Sequence, residues 1–277
     1  MAVLLATAAA LSFGASDFAG GLAARRAPVV GVTVVSTAAG FLILLPALGM
    51  FPGTSSVAAW QAGLVAGAAG ITGLVLYLRG LAIGPMGVAS PLAGVTGAAL
   101  PVVVGLLAGE RPTYAATAGI VLGLVAVVLA TGRDLTRAGA ASVRGPLLAL
   151  LGGVGFGIFF VGLDAAPADS GLWPLLAARI ISLVLVVGLL AVRWRPLPAD
   201  PGTWWLAVAT GVLDMVANGL FLAATRAGLL SIAALLSSLY PVVVAALAAG
   251  LLRERLDPWQ WSGVAAGVAA VALIATA

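Results

Sequence analysis

Apolar runs of about twenty residues follow one another along the chain, at 3–23, 29–48, 57–78, 86–108, 114–131, 146–163, 172–192, 203–222, 229–252 and 259–276. Each is long enough to cross a bilayer as a helix. The runs are continuous rather than alternating, which excludes the strands of a membrane barrel with polar lumen positions. Short polar breaks separate them, punctuated by Ala27-Pro28, Phe51-Pro52-Gly53, Gly84-Pro85, Arg111-Pro112, Gly145-Pro146 and Asp257-Pro258. All seven tryptophans, Trp60, Trp173, Trp194, Trp204, Trp205, Trp259 and Trp261, fall at predicted helix ends. An amphipathic indole is best solvated at the membrane–water boundary, so their placement supports the segment map.

The pattern also repeats. Residues 78–129, moved 144 positions along (Leu78 to Leu222), land on 222–273 without a gap. Glu110-Arg111 then meets Glu254-Arg255, the most informative match in a chain where charges are rare. Five runs per copy is an odd number, so the second copy enters the membrane with opposite orientation. The sequence therefore predicts an all-α integral membrane protein with ten transmembrane helices in two inverted five-helix repeats. The first covers 1–132, a connecting loop 133–145, and the second 146–277. Repeats of this kind place a site near the bilayer midplane and exchange inward-open and outward-open states.

Composition narrows the function classes. Of 277 residues, 62% are apolar and 8% charged, with mean hydropathy +1.21. A soluble domain carries about 25% charge. The net charge of +4 does not suggest nucleic acid, because the arginines are scattered between apolar runs. Histidine and cysteine are absent, which removes the usual proton shuttle, thiolate metal sites and disulfides. All 13 basic residues are arginine, so no phosphate-binding loop lysine or Schiff base can form. No cofactor and no metal is expected. The N-terminal run lacks a basic leader and is too long for a signal peptide, so it reads as a spanning helix that stays.

A charge inside a membrane helix costs about 2.5–3.5 kcal/mol and marks a functional candidate. Asp17, Arg179 and Asp214 qualify, with Asn218 one turn beyond Asp214. At the repeat offset, Asp214 and Asn218 fall on Gly70 and Leu74, and Asp17 on about Phe160. The charges occur once, whereas Glu-Arg occurs in both copies. A cavity role for Asp17 and Asp214 competes with a structural ion pair of either one with Arg179. Without histidine, only these two aspartates lie deep enough to carry a proton. Acidic residues with no opposing basic cluster favour amines, zwitterions or neutral compounds over anions, unless Arg179 reverses the balance.

Ser237, Ser238 and Tyr240 precede Pro241 in the ninth run, where proline frees a carbonyl and can bend the helix. The fourth run carries Pro91 and Pro101 at comparable depth, so both helices are candidates for gating breaks. Phe13, on the Asp17 face, and the equivalent pair Tyr77 and Phe221 are candidate cavity aromatics. Phe156, Phe159 and Phe160 read more naturally as core or lipid-facing. Glu110, Arg111, Glu254 and Arg255 sit at helix ends and read as local structural charge pairs or turn caps. Helices five and ten, with glycines four apart at Gly119/Gly123 and Gly263/Gly267, belong outside the transport core.

The two five-helix halves, Gly-Glu-Arg at 109–111, Arg-Glu-Arg-Leu-Asp-Pro at 253–258, and Leu-Tyr-Pro-Val at 239–242 resemble the EamA-type family of drug/metabolite transporters. Phe13-Gly14 stands where that family often has Trp-Gly, Gly97 replaces the proline matching Pro241, and Asp17 replaces a neutral or aromatic residue. The resemblance implies a secondary exporter of small organic metabolites in the cell membrane, with cytoplasmic termini. Arginine distribution gives the opposite orientation: the loops after odd-numbered helices hold ten arginines, from Arg25 to Arg255, and those after even-numbered helices only Arg111 and Arg226. The expected partners are a small-molecule substrate, the lipid bilayer and, where flux is coupled, protons. Monomer and homodimer are equally compatible with the sequence. Two other readings stand beside transport: a membrane enzyme or lipid-handling protein using Asp17 and Asp214 as an acid/base pair, and a non-transporting structural subunit.

Overall fold

A computed structural model of the chain describes residues 1–83, 86–129, 144–193, 196–251 and 258–275. Among these residues there are eleven α-helices and no strand. They are α1 (Ala2–Arg26), α2 (Val29–Met50), α3 (Val57–Ile83), α4 (Met86–Leu107), α5 (Tyr114–Leu129), α6 (Arg144–Asp164), α7 (Trp173–Arg193), α8 (Pro201–Arg226), α9 (Leu230–Ser237), α10 (Tyr240–Leu251) and α11 (Pro258–Ala275). A short 3₁₀ turn, Ala168–Ser170, lies between α6 and α7. By length and composition α1, α2, α3, α6, α7 and α8 can each cross a membrane, and shorter apolar segments lie at Thr96–Leu107, Tyr114–Val125 and Leu230–Val244. Most of 133–145, together with Glu254 and Arg255, lies outside the described residues.

One predicted helix is two. The ninth run divides at Ser238 and Leu239 into α9 and α10, where Leu239 N donates to Leu236 O (3.2 Å) and Val242 N to Leu239 O (3.0 Å). Pro241 follows immediately and has no N–H to return to the carbonyl of Ser237. The expected counterpart in the fourth run does not break: α4 continues through Pro91 and Pro101. At the position matching Pro241 it has Gly97, which keeps its amide donor, so the ladder survives there. The two helices are therefore unequal at the same depth.

Small residues and side-chain-to-carbonyl bonds hold the helices together, as expected where no water drives association. α3 lies along α6 and α7, α1 along α8, α4 along α6, and α2 along α8. A Cβ at Gly152 of α6 would stand 2.9 Å from Gly73 O and 2.9 Å from Tyr77 Cβ, so glycine is what lets α6 reach α3. Ser12 Oγ donates to Leu213 O (2.7 Å) and Ser16 Oγ to Thr210 O (2.9 Å), tying α1 to α8, while Ser182 Oγ donates to Gly67 O (3.1 Å) and ties α7 to α3. α5 and α11 pack on each other at the flank of the bundle.

At one end the connections lock together. Thr54 N donates to Asp169 O (2.8 Å), Trp173 Nε1 to Gly53 O (3.0 Å), and the Trp60 and Trp173 rings lie 6.2 Å apart. At the other end Asp200 caps α8, accepting from Thr203 N (2.8 Å) and Thr203 Oγ1 (2.9 Å), with Pro201 in the first helical position. Those bonds, the backbone one first, hold the Asp200 carboxyl below its ordinary range. A lowered folded pKa means the cap is intact above the ordinary aspartate pKa and is lost only as pH falls through the lowered value. Protection of the Thr203 amide, taken against its intrinsic exchange rate at each pH, is expected to be lost only in that acidic window in the natural chain, and at every pH in Asp200→Ala. Loss of protection beginning nearer neutrality contradicts the cap.

Candidate functional site

Among the described residues, six helices line a central cavity: α1, α3, α6, α7, α8 and α10, the last through its first residue. The cavity volume is about 80 Å³, room for several waters or a small organic molecule. Asp17 from α1, Arg179 from α7, Asp214 and Asn218 from α8 and Tyr240 from α10 all line it. Among the described residues neither α5 nor α11 contributes to the lining.

The charges are unequally satisfied. Arg179, 9% exposed, forms an ion pair with Asp214 through Nη2 and Oδ2. Asn218 Nδ2 adds donations to Asp214 O (2.8 Å) and Asp214 Oδ2 (3.1 Å), which fixes the orientation of the amide. Asp17 accepts from Tyr77 Oη (3.1 Å), and among the described residues no arginine pairs with it. The sequence left open which aspartate Arg179 takes; the structure pairs it with Asp214 while both still face the cavity. Gly40 of α2 makes room for this arrangement, since a Cβ there would lie 2.8 Å from Gly211 O and 3.4 Å from Arg179 Cζ.

Two buried polar atoms of the lining have no partner among the described residues. They are Asn218 Oδ1 and Tyr240 Oη, on residues 2% and 5% exposed. A buried polar atom left unpaired costs about 1–3 kcal/mol, so such atoms are normally matched by water or a ligand.

Several expected positions shift. Tyr77 and Phe221 are fully buried behind the wall instead of lining it: Tyr77 stands edge-on to Phe156 (5.5 Å) and Phe221 lies against Phe160 (4.4 Å). Ser237 and Ser238 also sit outside the lining, fully buried at the α9–α10 break. Phe156, Phe159 and Phe160, expected in the core or against lipid, line the cavity beside Phe13, with Phe13–Phe160 at 6.0 Å and Phe159–Phe160 at 5.8 Å. The reason is the close α3–α6 contact, which turns this face of α6 inward. Pro101 is buried in α4 and does not touch the cavity.

Glu110 is not paired with Arg111. Its carboxylate accepts from Leu230 N (2.6 Å) and Ser231 N (3.1 Å), capping the start of α9 from 120 residues away, while Arg111 is exposed. The helix N-terminus offers unsatisfied amides and a positive dipole end, which a carboxylate matches.

Gly70, Leu74 and Phe160, which the sequence offset matches to Asp214, Asn218 and approximately Asp17, line the same cavity as their polar counterparts. The offset itself was the signal that could have found them.

An all-helical apolar chain closing around a charged, unevenly satisfied cavity is built as multi-pass membrane transporters are. The chain belongs to the EamA-like transporter family, matched over residues 1–132 and again over 143–276. One solved crystal structure has the same fold, with a TM-score of 0.74 at 20% identity, covering 98% of this chain and 95% of the other. No match is found among curated proteins.

Proposed function

We propose that this protein moves small organic solutes across the cell membrane by alternating access through the central cavity, without a cofactor. In this reading the chain makes ten crossings as two inverted five-helix repeats, 1–132 and 146–277, joined by 133–145. The observation that carries it is the meeting of repeat-matched positions, Gly70 with Asp214 and Leu74 with Asn218, on a single cavity. A cavity on the relation between two inverted halves is one that each half can open in turn. Export is the direction that the family resemblance implies.

The two rival readings fit less well. An acid/base pair needs two carboxylates free to exchange protons with one substrate, and Asp214 is committed to Arg179 and Asn218. A purely structural subunit has no use for a cavity with an aspartate left unneutralised beside it. Where flux is coupled to protons, Asp17 is the carrier, since among the described residues it alone of the two has no arginine partner.

Reconstituted vesicles loaded with a mixture of amino acids, amines, nucleosides and organic acids test the reading. Protein-dependent release of at least one component is expected, with Leu74→Trp, which fills the cavity, lowering release by about tenfold. Release no faster than from protein-free vesicles contradicts transport.

A further inference from the structure

We propose that the cavity selects an organic monocation, a primary ammonium carried on a flat apolar body, with Asp17 as its counter-charge and the Phe13, Phe159 and Phe160 rings as its walls. The assignment rests on the transport reading and adds the substrate class.

Charge balance comes first. Among the described residues the charged groups in the lining are Asp17, Arg179 and Asp214, and their formal sum is −1 + 1 − 1 = −1. Arg179 and Asp214 neutralise each other, so the excess belongs to Asp17. An anion entering this space meets an arginine that is already taken. A neutral solute gives the Asp17 carboxylate no counter-charge, so the group must take up a proton or stand uncompensated among apolar walls. A cation satisfies it.

Hydrogen-bonding capacity points the same way. Asn218 spends both amide donations on Asp214, which leaves its Oδ1 a buried acceptor with no donor among the described residues. Tyr240 Oη is unpaired among them as well. Together with Asp17 the lining offers acceptors on three residues, the requirement of an ammonium group with three N–H donors. A quaternary ammonium has none to give, and a carboxylate offers only more acceptors.

The walls supply the third argument. Phe13 lies one turn before Asp17 on α1 and meets Phe160 edge-on, with Phe159 beside it. Ring faces attract cations held near a desolvated carboxylate, and the same rings cover a flat apolar body. The charge is thus placed where both carboxylate and phenyl faces are within the same small volume.

The chain contains no cysteine, so Leu74→Cys is a single reporter on the cavity wall. Its rate of maleimide labelling is measured with phenethylammonium, phenylacetamide and phenylacetate, matched in size and differing in charge. Phenethylammonium is expected to slow labelling by at least about tenfold at concentrations where the amide and the acid do nothing, a difference of about 1.4 kcal/mol. Asp17→Asn should abolish that protection, and Asp17→Glu should keep part of it. Equal protection by the amide or the acid, protection that persists in Asp17→Asn, or no protection by the amine overturns the assignment. The comparison of three ligands on the Leu74→Cys protein stands even where Asp17→Asn fails to fold. Vesicle release separates the two levels: release of neutral or anionic solutes without phenethylammonium leaves transport standing and removes the cation, whereas no release removes both.

Discussion

Arg179→Gln is expected to lower the unfolding free energy by about 3–5 kcal/mol, while the double variant Arg179→Met with Asp214→Leu recovers most of it. The single change strands a carboxylate among α2, α7 and α8, with only Asn218 to hold it. The double change removes both ions and their desolvation together. Thermal unfolding in detergent measures both. The same two proteins also separate stability from function: the double variant keeps Asp17 and the phenyl walls, so it should still bind the solute that needs them. An Arg179→Gln protein as stable as the natural chain would mean that the pair is exposed enough for water to replace it.

Removing the Glu110 carboxylate is the second large change. Glu110→Ala leaves two amides at the start of α9 without an acceptor, and hydrogen bonds to a charged group contribute about 1.5–3 kcal/mol each. An expected net loss of about 2–4 kcal/mol allows for water reaching part of the vacancy. Glu110→Gln keeps the acceptor oxygen and loses the charge, so it should fall between the natural chain and Glu110→Ala. Amide exchange at Leu230 and Ser231 reads the cap directly. Because α9 leads into the break before Tyr240, the effect should extend to a cavity wall, visible as faster labelling of a cysteine there. Unchanged exchange at both amides contradicts the cap.

Much of the helical plan is legible from the residues, because a bilayer accepts only continuous apolar runs with internally bonded backbones. The break between α9 and α10 is legible for the same kind of reason, since Pro241 carries its cause with it. What the sequence does not reveal is inequality between matching segments: Pro91 and Pro101 suggest a broken fourth helix, yet α4 runs through both, and at the position matching Pro241 it has Gly97. Phenylalanines mislead in another way. Phe156, Phe159 and Phe160 have the same composition whether they face lipid, core or cavity, and only the glycine-mediated approach of α6 to α3 decides. Glu110 misleads by proximity: a neighbouring arginine suggests a local pair, while the real partner is a helix end 120 residues away. Asp17 and Asp214 are visible as costly charges, but which one Arg179 neutralises depends on the packing of α7 and α8 against α2.

That difference between the two aspartates organises the functional reading. One is held by arginine and asparagine and positions the wall; the other is left with a phenol and faces the space where a solute fits. Two-sided exposure of that space is the property on which transport stands. The direct measurement is labelling of Leu74→Cys in oriented vesicles by a membrane-impermeant maleimide added from one side and then, separately, from the other. Alternating access predicts labelling from both sides, each slowed when a bound solute fills the cavity. Labelling from one side only, under every condition tried, contradicts the account.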